Sequence, residues 1–220
     1  MEIAVLGTGI VGRTLAARFA ELGHAVTIGT RDPQATLART GEGEFGDWAA
    51  RNRAVGVATF ADAAAAAGLV VNASNGAASL DVLELAGAHQ LAGKVLMDVA
   101  NPLDFSRGMP PTLFVKDTDS LGEQIQRAYP KARVVKTLNT VNASLMAHPE
   151  QLPEPGTVFV AGNDAEAKAA VAGLLSELGH RDVIDLGDIT AARGTEMMLP
   201  VWLRLWGALG GPAFNFKIVR

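Results

Sequence analysis

The chain has 220 residues, enough for one α/β domain with a small appendage, and its 49% hydrophobic and 19% charged content is that of an ordinary globular protein. A net charge of −4 without a basic stripe argues against nucleic acid or an anionic membrane as partner. With no cysteine there are no disulfides or thiolate metal sites, and the four histidines (His24, His89, His148, His180) lack metal-ligand spacing.

Glu2 to Leu6 reads as a buried strand. It starts at residue 2, so no targeting segment is expected ahead of it, and the cytoplasm is the default location. Gly7-Thr8-Gly9-Ile10-Val11-Gly12 follows and opens an amphipathic helix that ends near Leu22. Gly7 allows the tight turn, Gly9 lets backbone approach a pyrophosphate, and Gly12 lets helix and strand pack closely. The diphosphate would sit on the free N–H groups and positive dipole end of that helix. Nucleotide binding is the expectation.

The second strand, Ala25 to Gly29, runs out into Thr30-Arg31-Asp32-Pro33. An Arg31 guanidinium and a Thr30 hydroxyl suit the 2′-phosphate of NADP, because arginine offers a planar fork of donors. Asp32 fits two roles, the acidic ribose partner of an NAD site or the N-cap of a helix with Pro33 at its first position. NADP is preferred to NAD on Arg31.

Further elements follow in alternation. Arg39 to Asp47 reads as a loop, Asp47 to Asn52 as a helix, Gly56 to Phe60 as a short strand, and Ala61 to Ala67 as a helix. Gly68 to Ala73 is the fourth strand, Leu80 to Ala88 a helix, and Lys94 to Val99 the fifth strand. Residues 101 to 118 hold Pro102, Gly108, Pro110 and Pro111 and read as a long functional loop. Ser120 to Glu123 is a capping box for a helix ending before Pro130. Val134 to Leu138 and Thr157 to Ala161 are strands joined by Asn139 to Pro155. Asp164 to Leu178 is amphipathic, and Asp182 to Asp185 is a last short strand. His24 and His180 each close a helix as Leu-Gly-His and read as structural. The alternation predicts a doubly wound, mostly parallel α/β sheet of Rossmann type, with a nucleotide domain at 1–187 and a C-terminal helical segment at 188–220.

Ligands of such sheets bind outside the carboxyl ends of the strands. Those ends offer Asn72-Ala73-Ser74-Asn75, Ala100-Asn101-Pro102 and Asn139-Thr140, whose amides suit a ribose, a carboxamide and a flat heterocycle. Turn formation alone would also favour asparagine and serine there. Lys136 is a candidate proton donor if its strand turns it toward the site. No nucleophile elbow, metal cluster or acid–base histidine stands out, which fits hydride transfer between ring systems, where positioning is the main requirement. The apolar tail from Glu196 to Trp206 packs on the sheet or on a second copy, or its Met197, Met198 and Trp202 wall a pocket. A helix this apolar predicts a homodimer.

The chain resembles the NADP-dependent reductases of coenzyme F420 (8-hydroxy-5-deazaflavin) and the related reductase domain of membrane ferric reductases. The similar segments are Gly7 to Gly12, Gly23 to Arg31, Val134 to Thr140, Gly162-Asn163-Asp164, Asp185 to Asp188 and the C-terminal helix. The resemblance implies that Thr8, Gly9, Ile10, Thr30 and Arg31 hold NADP, with Asn72 to Asn75 near its ribose and pyrophosphate. It implies that Asn139, Thr140 and the C-terminal helix shape a second ring site for F420, FMN or FAD. The deazaflavin reductases tend to have His-Thr where this chain has Asn139-Thr140, which looks closer to the ferric-reductase branch. The alternatives are a dehydrogenase of a small hydroxy acid or imine, and a catalytically silent NADP-binding sensor.

Overall fold

In the computed structural model, which describes residues 1–220, β1 (Glu2–Leu6) is the central strand from which the fold grows. It pairs in parallel with both β2 (Ala25–Thr30) and β4 (Leu69–Asn72), so both of its edges are hydrogen-bonded. Ile3 and Val5 point to one helical layer, Ala4 and Leu6 to the other. That two-sided burial explains a continuous apolar run where a half-exposed strand would alternate.

The first layer contains α1 (Ile10–Glu21), α3 (Phe45–Arg51), α8 (Ala143–Ala147) and α9 (Ala165–Leu178), which bury Leu15, Phe19, Phe45, Leu145 and Leu174. The second contains α4 (Phe60–Ala66), α5 (Ser79–Ala86), α6 (Ala88–Leu91), α7 (Leu121–Ala128) and α10 (Ala192–Met197), with Phe60, Leu83, Leu91, Ile125 and Ala192 inward. With β3 (Val55–Thr59), β5 (Val95–Asp98), β8 (Arg133–Thr137), β9 (Thr157–Ala161) and β10 (Asp182–Asp185), the sheet order is β10-β9-β8-β5-β4-β1-β2-β3. The fold is the expected mostly parallel doubly wound sheet, its order reversing between β1 and β4. The exceptions are β9, which runs antiparallel to β8, and β10, which pairs in parallel with β9.

Local chemistry sets the boundaries. Asp32 caps α2 (Pro33–Leu37) by accepting from the Ala35 N–H at 3.0 Å, so the capping role is realised. Ser120 accepts the Glu123 N–H at 3.1 Å, and Asp164 the Ala167 N–H at 2.7 Å. The Leu-Gly-His stops close α1 and α9 through His24 N–H to the Phe19 carbonyl and His180 N–H to the Leu175 carbonyl.

Two expectations need correction, and one connection gains an element. The segment expected as a long functional loop at 101–118 contains an antiparallel hairpin, β6 (Leu103–Asp104) with β7 (Thr112–Leu113), too short to show a period. The connection 139–155 contains α8, capped by Asn142. Helix α3 starts at Phe45 rather than Asp47, because Phe45 anchors it in the core. After α11 (Leu199–Leu209) the chain returns to the sheet, where the Thr157 N–H donates to the Phe216 carbonyl at 2.8 Å. No helix is long and apolar enough to cross a membrane.

Candidate functional site

The Gly7–Gly12 turn leaves the carboxyl end of β1 with its first N–H, that of Gly7, donated to the Gly29 carbonyl at 3.3 Å. Gly7 has φ +134°, and a Cβ there would lie 2.5 Å from the Ala73 carbonyl oxygen. At Gly12 a Cβ would lie 2.1 Å from the Gly7 oxygen, so the first turn of α1 rests directly on the loop. At Gly9 a Cβ meets nothing within 4 Å. The N–H groups of Ile10, Val11 and Gly12 have no acceptor in the protein, and no side chain caps α1. Open space over unspent donors at the start of a 12-residue helix is an anion cradle that fits a dinucleotide pyrophosphate.

Beside it, Arg31 is exposed and engages no hydrogen bond or ion pair within the protein. Thr30 is turned inward, where its hydroxyl meets that of Thr36 at 2.9 Å. Arg39, which sequence reasoning placed only in a loop, comes over the cradle, with Nη2 3.5 Å from Thr8 Oγ1. Its position follows from the fold of the 39–46 segment, closed by the Gly46 N–H on the Arg39 carbonyl at 2.7 Å.

Asn72 is fully buried and all its polar atoms are used. Nδ2 donates to Asp98 Oδ1 at 2.9 Å and Ser79 Oγ at 3.1 Å, while Oδ1 accepts from Ser74 Oγ at 2.7 Å. It ties β4 to β5 rather than facing the cleft. Ala73 offers backbone, Ser74 is half-buried, and Asn75 is exposed and accepts the Ala77 N–H at 3.0 Å.

Lys136 does not face the cleft either. Its Nζ is sealed off, bonded to Asp98 Oδ2 at 2.8 Å, Glu196 Oε1 at 2.9 Å and the Ala100 carbonyl at 2.6 Å. Burial opposes the ammonium charge, but the carboxylates of Asp98 and Glu196 outweigh it and raise the lysine above its ordinary value. The proton-donor expectation is corrected accordingly, since a lysine so held keeps its proton. Glu196 also accepts the N–H groups of Leu121 and Gly122 at the start of α7, at 2.8 and 3.0 Å.

The neighbouring backbone completes a ring of bonds. Asn101 Nδ2 donates to the Asn139 carbonyl at 2.9 Å, and Asn139 Nδ2 donates to Asn101 Oδ1 at 3.2 Å and the Thr195 carbonyl at 3.0 Å. The loop after β5, the end of β8 and α10 are thus held as one unit. Leu138, just before Asn139, has φ +55°, a left-handed conformation costing about 1–2 kcal/mol for a residue with a side chain. Thr140 is buried, and Pro102 is anchored through its carbonyl to the Phe114 N–H at 3.0 Å.

Cavities open around the β6–β7 hairpin. One of about 160 Å³, next to the cradle, is lined by Val11, Ser74, Ala100, Asn101, Leu103 and Phe105. The second, of about 280 Å³, lies beneath α11 and shares Asn101, Leu103 and Phe105, adding Asn139, Leu199, Trp202 and Trp206. A third, of about 530 Å³, lies between the hairpin and Leu80, Phe114 and Gln124. Trp202 therefore lines the cavity beneath α11, whereas Met197 and Met198 are not part of its wall.

Residues 2–102 match the family described as NADP oxidoreductase, coenzyme F420-dependent. The F420-dependent NADP reductase of Methanothermobacter thermautotrophicus is 30% identical over 210 residues, 93% of this chain and 89% of that protein. The chain belongs to the coenzyme F420-dependent NADP oxidoreductase family. Within that family, a crystal structure from Arthrobacter sp. FB24, provisionally described as an F420-dependent NADP-reductase, is 65% identical with a TM-score of 0.97, covering 100% of both chains. Metalloreductase STEAP3 of Rattus norvegicus is 29% identical over 91% of this chain, which spans only 38% of that longer protein. Oxidoreductase chemistry on NADP, the small-molecule cofactor named by the family, agrees with the cradle and with Arg31.

Proposed function

We propose that the protein moves a hydride between NADPH and a flavin or deazaflavin ring, F420 being the preferred candidate and FMN or FAD the others. Residues 1–187 form the cofactor domain, and 188–220 supply the wall of the acceptor site. The observation that carries this reading is the composition of the cavity under α11, which adjoins the cofactor side across Asn101 and has no titratable side chain in its lining. Oxidation of a hydroxy acid requires a base to take the proton of the reacting hydroxyl, whereas hydride transfer between rings requires alignment and exclusion of water. Bound NADPH supplies the hydride. The chain's part is to seat the pyrophosphate on the N–H groups of residues 9–12, to pair the 2′-phosphate with Arg31 and Arg39, and to fix the ring gap through the Asn101–Asn139–Thr195 brace.

The reading also includes a homodimer through α11, whose Val201, Trp206 and Leu209 are 49%, 42% and 62% exposed.

The test is loss of NADPH absorbance with F420, FMN, FAD and no acceptor in parallel. Turnover with F420 or a flavin supports the reading, and tight NADPH binding with silence in every arm defeats it. Arg31→Ala should raise the Kd of NADP⁺ about 10–100-fold, the worth of a charge-assisted hydrogen bond, and leave NAD⁺ within about twofold. Equal losses for both would remove Arg31 from the 2′-phosphate.

A further inference from the structure

Asn139 lines the apolar cavity under α11 and carries an unused hydrogen-bond acceptor. The residue is only 4% exposed. Its Nδ2 donates to the Thr195 carbonyl, and a carbonyl can only accept, so this bond fixes which end of the amide is nitrogen. The Asn101 amide is fixed likewise, because its Nδ2 donates to the Asn139 carbonyl. Asn139 Oδ1 is left with no donor in the protein, yet it is not sealed from solvent. Apart from Asn101 and the two tryptophans, the rest of the lining is apolar, and the unpartnered Trp202 indole N–H is itself occluded. A nearly buried amide oxygen with no protein donor is open to a ligand N–H, which takes the place of whatever solvent contact it has.

We propose that Asn139 Oδ1 accepts the ring imide N–H of the hydride acceptor, making Asn139 a specificity residue. This rests on the flavin or deazaflavin reading above. Both ring classes carry an imide N–H at position 3, between two carbonyls, so one oxygen serves either. A site built to receive a donor rejects the analogue lacking it far more strongly than an apolar pocket rejects an extra methyl group.

The experiment compares riboflavin with 3-methylriboflavin, and 5-deazariboflavin with its 3-methyl derivative, using the intact protein saturated with NADP⁺. Affinity is read by calorimetry, and turnover with NADPH is read in parallel. The wild-type protein should favour the N–H ring of at least one pair about 10–100-fold. Asn139→Ala should reduce that preference to about twofold or less, with the affinity for NADP⁺ alone unchanged. The wild-type comparison needs no variant, so a poorly folded Asn139→Ala leaves the inference open to refutation. Equal affinity for the methylated and unmethylated rings, with turnover intact, overturns the role of Asn139 and spares the proposed reaction. Loss of NADP⁺ affinity in Asn139→Ala with the ring preference retained assigns the oxygen to the nicotinamide carboxamide instead. Failure to bind or reduce any of the four rings defeats both readings.

Discussion

A Cβ placed on Gly9 meets no atom within 4 Å, while one placed on Gly12 lies 2.1 Å from a carbonyl oxygen of the preceding turn. The two glycines of one motif therefore answer to different demands. Gly9→Ala should fold normally and bind NADP⁺ more weakly, since its methyl group occupies the space intended for phosphate. Gly12→Ala forces helix and loop apart at a cost of about 3 kcal/mol. For a chain of this length that lowers Tm by about 6–12 °C, measurable by calorimetry. A stable Gly12→Ala would show that the first turn of α1 yields easily. This loop was legible in the sequence because spacing alone specifies it. Asn72 and Lys136 were not, because a polar residue at a strand end reads the same whether it faces ligand or core. Only the pairing of Lys136 with Asp98, 38 residues away, decides the question.

Among the elements, α10 is joined to the sheet by charge as well as by packing. Removing the ammonium in Lys136→Met leaves the carboxylates of Asp98 and Glu196 buried without their cation, at a cost of about 3–5 kcal/mol. Thermal unfolding of Lys136→Met should fall by about 10 °C. An unchanged Tm would mean that the pair is reached by water. The chain end is fastened differently. Asp182 is held down at about 2 by the Thr157 hydroxyl first, then by Lys217 and Arg220. A lowered carboxylate contributes fully above its ordinary value near 3.8 and loses its contribution as pH falls through about 2. Between those values the tail loses its charge contacts to Asp182 and should loosen beside Trp202, where Phe214 packs at 5.4 Å. Its fluorescence should shift to the red in that window, and Asp182→Asn should abolish the acid step. A wild-type emission that is flat from pH 4 to pH 2 would refute the fastening. The strand and helix alternation that places these elements was readable. The β6–β7 hairpin and α8 were not, since each is too short to carry a period.

For the molecule as a whole, α11 leaves aromatic and aliphatic groups facing out that a monomer rarely leaves contiguous. Light scattering should report twice the chain mass of 22.9 kDa, and Trp206→Glu should return the protein to a single chain. A monomeric wild-type protein at micromolar concentration would remove the dimer from the proposal. The doubly wound order was foreseeable from alternation, whereas the reversal of β9 and β10 was not, because strand direction depends on the end of the sheet at which the 138–156 connection re-enters it.

Asn101, Leu103 and Phe105 belong to both the cavity beside the cradle and the cavity under α11. A ligand that moves this partition in one chamber changes the free energy of filling the other. Thermodynamic linkage then requires reciprocity: whatever factor the dinucleotide imposes on the acceptor's dissociation constant, the acceptor imposes on the dinucleotide's. The shared lining thus couples the two ligands energetically, by the same factor whichever of them binds first.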